Sequence, residues 1–584
     1  MPSRLLLAVA TGALVFLSFA PYSIPLLSLV SLGPLLVATS RASVGQAFVA
    51  GWVSGVVMHL GACAWVLPTI VRFERTSTLS ALPFFAAFVA YQALFFALVA
   101  AGVAAGVAAG VRWGCGSRTD THGAITGCLS AASWWVLLEW GFPKIIPWFL
   151  GDTLSGAALL RQAADLCGVY GLSFLIVFVN AALAVAIMHR IAGTALPMLP
   201  LGAAAALVVV ATIYGELRLR RAAPSGDQRV ANDITVTVVQ GGVRSGGDDQ
   251  MVANEDAWRT YSRLTTQDPV GADLIIWPET VLRVHLRQDD YYRRRISTLV
   301  TRAQQALFVG ALDGTRFEPG ELNSGYLISP KALSSTLRQS DSQCPGTDAS
   351  QSDAAPSPDT ESATSVQVYH KALLLPFGEY VPGASWLPFL RRWQTTGQFV
   401  SGAAPHTLRL ALPAKERRAA TPAASRTTSF APSICFEAIW PGIFNPLVRD
   451  GAEFLINITD DGWFGNSAAP YQHLTAVTLR AVETRRWLVR ASNSGVSVFV
   501  DPTGRVVDSL PLGAVGVFSQ PVEPLHALSP YVRWGDWLVV LCAFIVPARL
   551  LGNRRRLRAS DSGVHLNETE KDSPRRHRDP LFQH

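Results

Sequence analysis

Phe430-Ala-Pro-Ser-Ile-Cys-Phe-Glu437 is a short, mostly apolar approach that ends in a thiol flanked by an aromatic and an acid. Upstream lies Leu274-Ile-Ile-Trp-Pro-Glu279, and between the two lies His370-Lys-Ala-Leu-Leu-Leu-Pro-Phe-Gly-Glu379. A carboxylate, an ammonium and a thiol, each beside an apolar stretch, are the parts of a covalent acyl-transfer site. A thiol nucleophile needs a base and an electropositive setting. In this reading Glu279 is the base, and Lys371 stabilises negative charge on the thiolate and on a tetrahedral oxyanion. Proline in Trp277-Pro-Glu279 interrupts a strand ladder and frees the carboxylate to face a cleft. Each residue also has a plainer reading. Cys435 taken alone is a small core residue, Glu279 a strand-end glutamate, Lys371 a solvated lysine, Glu379 a loop residue and Glu437 a cap.

Outward from these stretches, apolar runs of strand length recur at Ile234-Thr-Val-Thr-Val-Val239, Leu274-Ile-Ile276, Leu307-Phe-Val309, Tyr326-Leu-Ile328, Phe454-Leu-Ile456 and Val496-Ser-Val-Phe-Val500. Helical periodicity alternates with them over about 254–264, 291–305 and 471–485. Asp501-Pro-Thr-Gly504 marks a hairpin turn. The pattern predicts a layered α/β domain with a largely buried sheet. Two stretches interrupt it. Residues 334–365 are rich in Ser, Asp, Gln, Thr and Pro, and 411–428 in Ala, Pro and Arg. Neither has a core-forming pattern, and both read as solvated insertions.

The rest of the chain is far more apolar. Of 584 residues, 49% are hydrophobic and only 16% charged, against about 25% charged in soluble domains. About twenty apolar residues cross a bilayer. Spans of that kind are expected near 5–20, 24–40, 46–70, 81–111, 124–149, 170–188, 196–214 and 534–551. The expected organisation is a bundle of about seven helices over 1–222, an α/β catalytic domain over 223–525, one more helix over 526–553 and a basic tail over 554–584. The net charge of +7 comes largely from Arg549 and the run Arg554-Arg-Arg-Leu-Arg558. That placement speaks of membrane orientation rather than nucleic acid. With the N-terminus inside, eight helices put the catalytic domain outside the cytoplasm. Gly141-Phe-Pro-Lys-Ile-Ile-Pro-Trp-Phe-Leu-Gly151 reads either as an aromatic belt or as a lipid-contact surface. Seven scattered cysteines with no paired spacing argue against a disulfide framework or a metal site.

Trp277-Pro-Glu279, Lys371 with Pro376-Phe-Gly-Glu-Tyr380, and Cys435-Phe-Glu437 resemble the three signature blocks of the carbon–nitrogen hydrolase (nitrilase) superfamily. Asn323-Ser-Gly-Tyr326 and Asp460-Asp-Gly-Trp-Phe-Gly465 look like further blocks. With apolar spans on both sides, about 550 residues resemble the bacterial apolipoprotein N-acyltransferases. The resemblance implies an αββα sandwich on a membrane bundle and a Glu279–Lys371–Cys435 triad. Glu379, Glu437 and Asn323 would support it, and the Phe436 amide would be an oxyanion donor. It implies a ping-pong reaction. Cys435 takes an acyl chain from a phospholipid and gives it to the α-amine of a diacylglyceryl-cysteine at a lipoprotein's N-terminus. This places the protein in the bacterial inner membrane, with no metal or organic cofactor. Trp463, Phe464 and Trp148 are candidates for a lipid entrance. The rivals are a membrane-tethered amidase or nitrilase using water as acceptor, and a transporter or receptor with an inert sensor domain. Against the last, no span carries repeated intramembrane charges.

Overall fold

The computed structural model describes residues 2–108, 121–222, 233–243, 250–267, 271–314, 320–330, 366–384, 399–412 and 426–546. The second half of the chain contains two mixed sheets. One runs in the order β13-β1-β2-β4-β5-β6, with β3 also paired to β4; the other runs β12-β11-β10-β9-β8-β7. Here β3 is Leu282–His285, β12 is Val506–Leu510 and β13 is Gly516–Val522. The strands that matter most are β1 (Ile234–Gln240), β2 (Leu274–Ile276), β4 (Ala306–Asp313), β5 (Leu322–Ile328) and β6 (Gln367–His370) in the first sheet. In the second they are β7 (Leu408–Leu412), β8 (Arg426–Ile434), β9 (Phe454–Thr459), β10 (Leu488–Ser492) and β11 (Ser497–Val500).

Side chains alternate across a strand, so each sheet has two faces to bury. Ile234, Val236, Val238, Leu274, Ile276 and Phe308 face Phe430, Ile434, Phe454, Ile456, Ile458 and Phe499 across the sandwich. The opposite face of the first sheet, including Val239, Ile275, Trp277, Leu307 and Val309, packs on helices Gln250–Gln267 and Asp290–Ala303. The opposite face of the second, including Leu455, Leu488 and Val498, packs on helix Ala469–Thr484 through Val477 and Ala481. The layers are therefore helix, sheet, sheet, helix, as expected. Strands β1, β2 and β4 are mutually parallel, as are β8, β9 and β10. The loops leaving their C-terminal ends converge on one end of the sandwich.

The stretch 411–428 is less of an insertion than its composition suggests. Leu408–Leu412 and Arg426–Ile434 pair antiparallel, with Leu412 opposite Arg426. Backbone pairing extends into both ends, and only 413–425 lie outside the described residues. The acidic, Ser-rich stretch lies outside them too, as do Cys115, Cys344 and the basic tail. It joins β5 to β6, which pair in regular register, Ser324 opposite His370. Lys371 thus continues a strand whose position is fixed by its neighbour.

In the apolar half, helices occur at all eight expected spans, but among the described residues only four are long and apolar enough to cross a membrane. These are Val44–Ala62, Thr78–Val107, Leu160–Ile191 and Met198–Ala222. Pro2–Ser18, Pro25–Thr39 and Trp537–Val546 are shorter. Thr121–Gly141 is long enough, but His122, Ser130, Ser133 and Glu139 lower its apolarity. Four of the eight expected spans are therefore long and apolar enough by themselves. The span expected over 46–70 is two helices, broken after Ala62 and resumed as the amphipathic Val66–Phe73. Helix Thr121–Gly141 stops where Phe142-Pro143 begins, so 142–149 is irregular, with bends, rather than helical.

The two halves are joined by helix Ala469–Thr484. Its Leu479 and Val482 belong to the core of the bundle. Beside them, helix Ala164–Ile191 is kinked at Cys167-Gly168, where Gly168 takes φ +66°. The ring of Tyr531 lies 2.6 Å from where a Cβ of Gly168 would stand, so this break depends on glycine. The Val169 N–H beyond the kink donates to the Glu483 carboxylate at 2.9 Å. Arg485 binds Asp165 at 2.7 Å and Gln162 Oε1 at 2.8 Å, and Gln162 donates to the Thr503 carbonyl at 2.8 Å. Burial pushes the Glu483 carboxyl up to about 7, opposed by the adjacent Arg480.

Candidate active site

Glu279, Lys371, Cys435, Glu379, Glu437, Asn323 and Phe436 come together at the C-terminal end of the sandwich, from four segments of the chain. Glu279 follows β2 and is 6% exposed; Lys371 follows β6 and is 1% exposed. The Lys371 ammonium donates to Glu379 Oε1 at 2.8 Å and to Glu279 Oε1 at 3.4 Å. Asn323 Nδ2 donates to Glu279 Oε1 at 2.7 Å, and the Asp460 N–H donates to Glu279 Oε2 at 2.9 Å. Glu379 is anchored through its other oxygen by the Leu375 N–H at 2.8 Å. One cation is therefore shared by two carboxylates, each fixed by a further donor. Burial opposes the charge on Lys371, but Glu379 and then Glu279 outweigh it and raise its pKa above the usual lysine range. It stays an ammonium at any pH the protein meets.

Cys435 begins a 3₁₀ turn, Cys435–Ile439, directly after β8. Its φ is +54°, a left-handed conformation that costs energy in a non-glycine residue and persists only where surroundings enforce it. Glu437 helps to enforce it. That carboxylate is fully buried and accepts from the Ile434 N–H at 2.7 Å, the Ala372 N–H at 2.6 Å, the Leu373 N–H at 3.0 Å and the Tyr369 hydroxyl at 3.0 Å. It ties the thiol turn to the lysine loop. Burial pushes the Glu437 carboxyl up, opposed by the Ile434 and Leu373 amides. Burial, and then Glu279, push the Cys435 thiol up, while Lys371 and a hydrogen bond from Thr459 pull it down. The resting form is a thiol with a carboxylate beside it, which is the arrangement a base-assisted nucleophile requires.

Gly310 on β4 makes this proximity possible. A Cβ there would fall 2.4 Å from the Pro278 carbonyl oxygen and 2.7 Å from the Glu279 Cα. Both are backbone atoms that cannot rotate away. Gly310→Ala is expected to push the Glu279 loop outward. A displacement near 1 Å lowers the acylation rate about 100-fold, with a stability loss of about 1–3 kcal/mol. Single-turnover acylation beside thermal melting of the variant checks this. Unchanged acylation would show that the Glu279 loop tolerates the displacement.

The aromatic candidates separate. Trp463 and Phe464 stand at the seam between the halves. Trp463 stacks on Phe73 at 4.8 Å and Phe464 meets Trp65 edge-on at 5.0 Å. Arg72 donates to the Trp463 carbonyl at 2.6 Å. Trp148 is not brought to this seam. It is 8% exposed, within the bundle core, and stacks on Phe96. It walls a buried ammonium instead: Lys144 donates to the Glu139 and Trp148 carbonyls at 3.1 and 2.7 Å, among the rings of Phe95, Trp148 and Phe149. Both surface readings of 141–151 are corrected by this, because the segment folds inward around Lys144. The mouth near Lys371 instead carries exposed Leu373, Phe377 and Tyr380.

Four residues beneath Cys435 have no role assigned by the sequence: His473, Asn457, Arg490 and Asp461, the last within the Asp460–Gly465 block. Asn457 and Arg490 are polar positions inside wholly buried strands, and that mismatch was their one available signal. Burial opposes ionisation of Asp461, but Arg490 and His473 together hold its carboxyl below the usual carboxylate range. Among the described residues no cluster of His, Cys, Asp and Glu has the arrangement of a metal site.

Residues 11–182 match the model described as apolipoprotein N-acyltransferase N-terminal domain, and residues 235–522 match the carbon–nitrogen hydrolase model. The chain is similar to the apolipoprotein N-acyltransferase of Geobacter metallireducens, 30% identical over 93% of this chain and 94% of that one. It is also similar to that of Pseudomonas syringae, 28% identical over 94% and 97%. Among solved structures, a Saccharomyces cerevisiae member of branch 10 of the nitrilase superfamily aligns with 51% of this chain and 93% of its own, at 14% identity and a TM-score of 0.34.

Proposed function

The chain belongs to the apolipoprotein N-acyltransferase family, and from that premise we propose a ping-pong acyl transfer through a thioester on Cys435. Lipoprotein N-acylation is the activity; the acyl donor, the residue roles and the topology are the proposed part. As Cys435 attacks the ester carbonyl of a phospholipid, Glu279 takes the thiol proton and a C–S bond forms. The carbonyl electron pair moves to oxygen, where Lys371 and the Phe436 N–H receive the charge. Collapse breaks the ester C–O bond, and Glu279 returns the proton to the leaving lysophospholipid. The α-amine of a diacylglyceryl-cysteine then attacks the thioester. Glu279 accepts its proton, the amide forms, and the Cys435 sulfur leaves and is reprotonated.

The observation that carries this reading is the convergence of buried Glu279 and Lys371 on the half-buried Cys435, beneath exposed apolar side chains. Leu373, Phe377 and Tyr380 at the mouth suit a substrate that stays partly in lipid. Trp463 and Phe464, at the seam with the bundle, form the proposed acyl entrance. Eight spans with the catalytic domain over 223–525 on the periplasmic face of the inner membrane would bring both substrates to the same leaflet.

The test supplies reconstituted protein with phospholipid and a diacylated lipopeptide whose N-terminal α-amine is free. Formation of an N-acylated lipopeptide with one lysophospholipid per turnover is the expected result. Fatty acid release at the same rate with or without lipopeptide would show that water, not an amine, is the acceptor.

A further inference from the structure

The four polar residues beneath Cys435 form one connected device aimed at a single atom, the Cys435 carbonyl oxygen. His473 Nε2 lies 3.1 Å from it and Asn457 Nδ2 donates to it at 3.3 Å. On the other side of the ring, His473 Nδ1 is 3.0 Å from Arg490 Nη2 and 3.1 Å from Asp461 Oδ1. Arg490 also binds Asp461 Oδ2 at 2.6 Å and Asn457 Oδ1 at 2.5 Å. Asn457 Nδ2 is further held by Ser433 Oγ at 3.0 Å. His473, Asn457, Asp461 and Arg490 are all buried.

A carbonyl oxygen only accepts, so Nε2, the ring nitrogen 3.1 Å from it, carries a proton and donates. The opposite tautomer would set the Nε2 lone pair against that oxygen. On the far side Nδ1 meets both a donor, Arg490 Nη2, and an acceptor, Asp461 Oδ1, while Arg490 Nη1 lies 3.4 Å from Nε2. Burial, and then Arg490, hold His473 below the usual histidine range.

The Cys435 carbonyl and the Phe436 N–H belong to one planar amide and point in opposite directions. Phe436 is second in its 3₁₀ turn, so its N–H has no partner within that turn. A donor on the carbonyl fixes where the N–H points and polarises it, because hydrogen bonds in a chain strengthen one another. We propose that His473, donating from Nε2 to the Cys435 carbonyl and assisted by Asn457, is a positioning residue that orients and polarises the Phe436 N–H toward the developing oxyanion. This rests on the acyl-transfer reading of Cys435.

The test compares His473→Leu, His473→Asn and His473→Gln in the full-length protein, reconstituted in vesicles. Glutamine sets an amide donor near the Nε2 position; asparagine reaches only the Nδ1 position; leucine has no donor. Acylation of Cys435 is followed by intact mass, with phosphatidylethanolamine and separately with a p-nitrophenyl acyl ester. Both acylations pass through an oxyanion. Alkylation by iodoacetamide is measured alongside, since displacement at a saturated carbon forms none. The leucine and asparagine variants are expected to acylate about 10–100-fold more slowly, less than the roughly 10²–10³-fold lost when an oxyanion donor is removed outright, because the Phe436 N–H remains. Their half-saturating donor concentration and alkylation rate should stay near wild type. Glutamine is expected to restore most of the acylation rate. The proposal is overturned if leucine acylates at the wild-type rate, if glutamine is as slow as leucine, or if alkylation falls in step with acylation. Should phospholipid leave the wild type unacylated while the ester acylates it, the donor assignment fails. The ester series still decides the role of His473.

Discussion

Replacing Cys435 with alanine is expected to abolish the acyl adduct and lower turnover by about 10⁴–10⁶, the range seen when a covalent nucleophile is removed. The reason is specific to this site. The elbow after β8 presents only one nucleophilic atom to Glu279 and Lys371, and Thr459, whose hydroxyl also reaches Asp461 at 3.3 Å, is committed behind it. The fold has little reason to change. At φ +54° alanine is no more strained than cysteine, and the Glu437 bonds to Ile434, Ala372 and Leu373 do not use the sulfur. Wild-type protein incubated with phospholipid should gain the mass of one acyl chain, labile to hydroxylamine, while the alanine variant should not. The raised thiol pKa sets the pH behaviour. A thiol above its usual range is little ionised near neutrality, so alkylation of Cys435 should be slow there. It should still be climbing at a pH where an exposed cysteine has levelled off. An adduct on the alanine variant would remove Cys435 as the carrier.

The candidate triad was legible because Glu279 and Cys435 each follow an apolar strand, in Trp277-Pro-Glu279 and Ile434-Cys435, and Lys371 stands between a strand and the apolar run Ala372-Leu-Leu-Leu375. The apolar runs also showed a layered α/β domain with a buried sheet, while the two-sheet sandwich was implied by the family resemblance. What composition could not show was how partners far apart in sequence would meet. Asp165 lies 320 residues before Arg485, whose guanidinium it binds. Trp148 read as an interfacial aromatic because tryptophan favours that place; its actual role depends on Lys144 turning inward beneath Phe95, which is remote in sequence. His473 and Arg490 were hidden for the same reason. A histidine on an amphipathic helix and an arginine in a short strand acquire meaning only when β9, β10 and that helix stack behind the thiol.

Lys371→Met tests whether the buried cation serves the chemistry, the fold or both. Lys371 holds two carboxylates within 3.4 Å. Removing it leaves Glu279 and Glu379 facing each other without a counter-charge, and breaking a buried ion pair this way costs about 3–5 kcal/mol. A loss of activity in the single variant would therefore be ambiguous. The double variant Lys371→Met/Glu379→Gln separates the causes. It leaves one carboxylate, still bound by Asn323 and the Asp460 N–H. Thermal or denaturant melting in detergent should recover by about 1–3 kcal/mol relative to the single variant, the cost of one unpaired buried group. Acylation should not recover, because the oxyanion has lost its positive charge; a deficit of about 10²–10³ persists in both variants. The double variant acylating near the wild-type rate would assign Lys371 to the fold alone. If neither stability nor acylation recovers, Glu379 matters for more than holding Lys371, and its bond to the Leu375 N–H becomes the next contact to break.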